Sequence, residues 1–179
     1  MRTLTEQLTQ YAAYHRDRRN IATHFIGIPM IVLALAVLLS RPAFAYGALP
    51  FALSPAWVLF AVATVYYLIL DVPLGAMMAL VSVLCVACGQ WLAAQSTLAW
   101  LATGIGLFLV GWVFQFIGHV AYEHRKPAFV DDVMGLVIGP LFVLAEALFG
   151  FGLRPALREA IEARVGPTRI NADRAAAHR

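Results

Sequence analysis

Four side chains suited to metal or acid–base chemistry, His15, His24, His119 and Glu123, fall in two short segments far apart in the sequence. In the second segment Gln115, His119 and Glu123 are spaced i, i+4, i+8, one polar stripe on an otherwise apolar helix. Ionisable groups at membrane depth are costly and face a bundle interior or a cavity. A His and a Glu four apart on a helix can both reach one metal ion. His15 and His24 are nine apart, on opposite sides of a continuous helix, so they converge only if the chain bends between them. Asn20, four before His24, is placed to orient it. Neutral imidazoles with one carboxylate suit zinc, iron or a similar borderline metal. Both the His-Glu-x-x-His pattern of metalloproteases and the many paired histidines of a membrane di-iron hydroxylase are absent, so a mononuclear site is the simplest fit.

The elements that must position these groups are membrane helices. Of the 179 residues 61% are hydrophobic and 13% charged, with mean hydropathy +0.77. Soluble domains carry about a quarter charged residues. No Asp, Glu, Lys or Arg occurs in residues 20–40, 42–70 or 72–122. A spanning helix needs roughly 20 apolar residues, so the last run is long enough for two. The fold class expected is an all-α integral membrane helical bundle. It has about four spans, a re-entrant or fifth apolar segment and an N-terminal amphipathic helix.

Thr3-Leu4-Thr5-Glu6 reads as a capping box opening a helix over 4–18, with Leu4, Leu8, Tyr11 and His15 on one face and Glu6, Gln10, Arg16 and Asp17 mostly away from it. Spans are expected over 21–40, with a kink at Pro29, and over 55–70, 73–88 and 98–123. Asp71-Val72-Pro73 makes a tight turn, 89–97 a further turn, and Trp91 and Trp100 are interface anchors. Gly104, Gly111 and Gly118 recur every seven residues as a flat stripe for a close helix neighbour. Asp131-Asp132 caps a last apolar segment over 133–151, broken by Gly139-Pro140 and carrying Glu146. Residues 1–153 read as the membrane-embedded catalytic domain and 154–179 as a basic tail, a short surface helix followed by disorder.

Basic residues gather before the first span, at Arg125 and Lys126, and in the tail, while the loops 42–54 and 89–97 have none. By the positive-inside rule both termini lie in the cytoplasm. His15, His24, His119 and Glu123 then share that face, and the segment 133–151 re-enters. The first apolar run does not read as a signal peptide: a polar stretch precedes it and no small-residue cleavage site ends it. Cys85 and Cys88, in an apolar run, read as buried small apolar residues rather than a redox or zinc pair. The net charge of +3 suits anionic lipid headgroups, and nothing suggests nucleic acid. His124 is expected to point away from His119, His178 is a tail residue, and Arg18, Arg19, Arg125 and Lys126 face headgroups or hold a substrate carboxylate.

The two histidine segments read Tyr-Ala-Ala-Tyr-His15-(x4)-Asn20-(x3)-His24-Phe-Ile-Gly27-Ile-Pro29 and Gln115-Phe-Ile-Gly118-His119-(x3)-Glu123-(x3)-Pro127-Ala128. In order and spacing, over roughly 5–152, the chain resembles the small membrane protein family that includes the Fe(II)-dependent 2-hydroxy fatty acid dioxygenase of fatty-acid α-oxidation. The resemblance implies that a long-chain 2-hydroxy acid and O2 give the fatty acid one carbon shorter and CO2. It implies Fe(II) held by His15, His24 and His119, with Glu123 as a fourth ligand or nearby base and Asn20 and Gln115 in support. Arg19 and Arg125 are the candidates to bind the substrate carboxylate. The chain departs from the family pattern at His124, which leaves room for an extra ligand. The compact, Ala- and Arg-rich chain points to a bacterial inner membrane. Two other classes remain: a non-catalytic membrane lipid-binding or interaction protein, and a haem carrier with His24 and His119 as axial ligands.

Overall fold

In the computed structural model, residues 2–45, 47, 52–124 and 133–169 are described. Among them the protein is all helical: α1 (Leu4–Ala12), α2 (Arg18–Leu38), α3 (Pro55–Leu70), α4 (Val72–Ala93), α5 (Thr97–Ile117) continued by a π turn (Gly118–Glu123), α6 (Met134–Gly150) and α7 (Pro155–Val165). It is a helical membrane protein. Helix α2, helix α4 and the combined run Thr97–Glu123 are long and apolar enough to cross a bilayer, and α3 is a shorter apolar helix. Their outer faces carry the exposed Val58, Val62, Val65, Leu80, Leu84 and Leu109, a surface that suits lipid rather than water.

Local chemistry sets most helix ends. Thr3 accepts from the Glu6 N–H and its own N–H donates to the Glu6 carboxylate, the expected capping box. The Thr3 bonds hold the Glu6 carboxyl below its ordinary pKa. Helix α3 opens at Pro55, and Asp71 closes it and caps α4 by accepting from the Leu74 N–H. Several ends differ from expectation. Helix α1 stops at Ala12 rather than 18, and Arg16 and Asp17 are buried because tertiary partners hold them. Helix α2 begins three residues early, with Pro29 inside it. Helix α4 runs through Gly89 and Trp91 to Ala93, so the turn expected over 89–97 shrinks to three residues. Cys88 is exposed on the outer surface rather than buried. The Asp131-Asp132 cap, Arg125, Lys126 and His178 lie outside the described residues.

The contacts divide into two compact units, Met1–Ile28 with Trp112–Arg179, and Pro29–Gly111. In the second unit α3 and α4 form a hairpin packed with the later turns of α2 around Ala36, Ala56, Phe60 and Val86. Gly89 sits where a Cβ would meet the Ala36 backbone at 2.5 Å, so it is a helix contact and not a turn residue. Gly104 lies against Leu38. Trp91 faces outward as an anchor would, whereas the Trp100 indole N–H donates to the Val37 carbonyl at 2.7 Å. In the first unit α1 packs on α6 and α7. A Cβ at Gly118 would collide with Asn20 Oδ1 and Thr23 Oγ1, so Gly104 and Gly118 of the expected stripe serve close approach.

Candidate functional site

The break between α1 and α2 lets the first histidine segment fold back on itself. Residues 13–17 leave the helix, and His15 and His24 meet with Nε2 atoms 3.0 Å apart. His119, from the π turn, completes a triangle of rings with centroids 4.4, 4.8 and 5.0 Å apart. All three imidazoles are essentially buried, and one ligand nitrogen from each lies within 4.8 Å of the others.

The hydrogen bonds fix which nitrogens are available. His15 Nδ1–H donates to the Tyr11 carbonyl at 2.7 Å, and His24 Nδ1–H donates to the Asn20 carbonyl at 2.9 Å. A carbonyl only accepts, so both rings carry their proton on Nδ1 and turn a lone pair at Nε2 toward each other. Burial, and then the neighbouring His24 and His119, push His15 well below the ordinary imidazole range, which keeps it neutral. Two lone pairs at 3.0 Å repel unless a cation lies between them. Two nitrogens each ~2.1 Å from one ion would be about 3.0–3.4 Å apart, depending on the angle at the ion. Among the described residues His119 Nδ1 and Gln115 Nε2 are buried without a hydrogen-bond partner. The donor set therefore fits a borderline metal ion such as zinc or ferrous iron.

Aromatic packing holds the rings. Tyr11 stacks on His15 at 4.1 Å between centroids and 6° between planes, and Phe142 of α6 leans on both at 4.9 and 5.6 Å. Phe142 was invisible to sequence reasoning, since one Phe in an apolar helix carries no local signal. Arg16 and Asp17 were also missed as partners of the site.

The other expected residues fall around the triangle. Glu123 is not in the three-histidine group; its Oε1 accepts from the Asp17 N–H at 2.7 Å and from Asn20 Nδ2 at 3.2 Å. On a regular α-helix Glu123 would share a face with His119; the π turn changes the direction in which Glu123 leaves the axis. Asn20 is fully buried and joins Glu123 to the His24 turn. Gln115 is buried one turn before His119. Arg19 forks onto Asp17 at 2.8 and 3.1 Å and lies over the Tyr122 ring. His124 is exposed and ends the π turn with φ 51°. Arg125 is outside the described residues.

An all-α membrane protein with a buried histidine triad, joined from two helix ends, is the class that this geometry defines. The chain belongs to the Mpo1-like family, described as 2-hydroxy-palmitic acid dioxygenase Mpo1-like, whose model matches residues 1–151. It is 32% identical to the 2-hydroxy-palmitic acid dioxygenase MPO1 of Saccharomyces cerevisiae over 160 residues, 89% of this chain and 87% of that protein. No solved structure matches it.

Proposed function

We propose that the protein is an Fe(II)-dependent dioxygenase that converts a long-chain 2-hydroxy fatty acid and O2 into the fatty acid one carbon shorter, CO2 and water. The observation that carries this reading is the pair of Nε2 lone pairs turned toward each other at 3.0 Å, with His119 beside them. The yeast relative's named activity supplies the substrate class. His15, His24 and His119 would hold the iron. Iron bound there would activate O2 and take up the hydroxyl and carboxylate of the substrate.

The chain's own groups do the rest. The Tyr11 and Asn20 carbonyls hold the two imidazoles in the ligating tautomer. Tyr11, Phe142 and the buried helix faces keep bulk water out. Gln115 offers an unpaired Nε2–H donor, which suits an oxygen of the substrate. Glu123 acts through Asn20 and Asp17 to fix the loop. The Arg19 guanidinium already forks onto Asp17, so a substrate carboxylate reaching it would share that charge. Outward-facing Phe25, Ile26, Phe116, Ile117 and Val120 lie one to three residues from the site's side chains and leave the acyl chain a path along the lipid surface. The site would lie at the cytoplasmic face of a bacterial inner membrane.

Anaerobic reconstitution with ferrous iron, followed by O2 uptake with a long-chain 2-hydroxy acid, tests this. Expected are one iron per chain, uptake, and the chain-shortened product, with both iron and turnover lost in His119→Ala. Iron without turnover would move the substrate; no iron would favour the non-catalytic lipid-binding reading. A haem held by His24 and His119 is disfavoured, because a porphyrin would have to pass between rings 5.0 Å apart with His15 packed against both.

A further inference from the structure

The Tyr14 and His15 N–H groups of the loop that carries His15 bond back to α1, and a segment beyond the family-matched residues pairs with the part that follows. Helix α7 ends at Gly166, whose φ of 79° and ψ of 167° suit glycine alone. That turn sends residues 166–169 back along the loop. The Arg169 N–H donates to the Arg16 carbonyl at 2.7 Å, and the Arg18 N–H donates to the Arg169 carbonyl at 2.9 Å, a short parallel pairing centred on Asp17 and Arg169. On the opposite edge the Asp17 N–H points to Glu123.

The Arg16 side chain ties the same pieces together. It is buried, its Nη1 donates to the Gly166 carbonyl at 2.6 Å, and its Nε donates to the Ala12 and His15 carbonyls at 2.8 and 3.1 Å. Glu146, Glu123 and Glu162 offset its charge. One guanidinium thus closes the end of α1, the peptide after His15, and the returning chain.

We propose that residues 166–169 form a positioning strap for the metal site, pairing with residues 16–18 so that His15 presents Nε2 to His24. This rests on the metal-binding reading of the histidine triad. The strap touches no ligand directly. It sets the backbone of the residue next to His15, and with it the direction of that ring.

The test uses full-length, metal-free protein in detergent, titrated with Co2+, whose visible bands report nitrogen ligation. Arg169→Pro removes the N–H donor of the pairing, whereas Arg169→Ala keeps both backbone bonds. The expected result is that R169P weakens Co2+ binding about 10–100-fold and shifts the bands, the range for losing an outer support of a metal ligand. R169A should match the wild type, and both should keep its helical circular dichroism. A chain ended after Val165 removes the strap without a proline and should behave as R169P does. Wild-type affinity and bands in R169P and in the shortened chain would overturn the strap, as would equal damage from R169A. Failure of the wild type itself to bind Co2+ would instead overturn the metal site, and the strap's role with it.

Discussion

Two backbone carbonyls decide the chemistry available at the centre of this protein. By taking the Nδ1 protons of His15 and His24 they leave both Nε2 atoms as donors to a common point. Glu123 serves that arrangement at one remove, through the buried Asp17 N–H and Asn20. Replacing Glu123 by Ala removes the acceptor of the Asp17 N–H and leaves Asn20 Nδ2 only the longer bond to the Tyr14 carbonyl, and is expected to cost about 1–3 kcal/mol. Glu123→Gln keeps an acceptor and should recover most of it, as read by denaturant unfolding of the metal-free protein. The polar stripe of Gln115, His119 and Glu123 was legible in the sequence because four-residue spacing on an apolar background is a strong pattern. The division of labour within it was not, because that depends on Asp17 arriving from the other end of the chain. Tyr11 and His15, four apart, are placed on one face by their spacing, but Phe142 meets them only through the fold, so its packing left no local trace.

At the scale of elements, helices bounded by strong local chemistry were legible to the residue. Helix α3, with Pro55 at its start and Asp71 at its end, is the clearest case. The residue pattern overextends helix α1, because Tyr11 and His15 are four apart and keep a helical spacing past the point where the chain leaves the helix. The pull comes from the strap and Glu123, which no window of local sequence contains. The π turn is the other element that spacing hides. Such turns hold one residue more than an α-helix would and recur at functional sites. Inserting a second alanine after the exposed Ala121 adds a residue that the already underwound segment cannot absorb and should rotate the residues beyond it by about 100°. Glu123 would then swing away from Asp17. The expected outcome is unchanged helical content with weakened Co2+ binding, measured by circular dichroism and titration.

At the scale of the whole molecule, the contacts around residues 16–18 set an expectation for the path through the bilayer. Asp17 at the start of α2 is bonded to Glu123 at the end of the π turn, so these two ends lie at one membrane face. An even number of crossings must separate them, and α2, α4 and the run Thr97–Glu123 make three. The short α3, whose 16 residues span about 24 Å, is then expected to be the fourth crossing. The same logic governs the last segment. Glu123 and Arg169 both bind the loop before α2, so the expectation for α6 and α7, bent by 113°, is that they go in and return. The distribution of basic residues predicts the same re-entry and the side of the membrane, and labelling tests both. In a background without Cys85 and Cys88, cysteine at Ala163 should label only from the cytoplasm and cysteine at Ser96 only from the opposite side. The reverse pattern would invert the orientation.

If the termini are cytoplasmic, as the charge distribution predicts, Arg41 lies on the side that basic residues avoid. Its guanidinium donates to the Ala93 and Gln95 carbonyls and to Thr97, and lies 4.6 Å over the Trp100 ring. With that orientation the nascent hairpin of α2 and α3 would have to carry this cation across the bilayer, a cost incurred at insertion. Once across, the guanidinium would close the end of α4 and oppose a return, so one side chain would act as a ratchet.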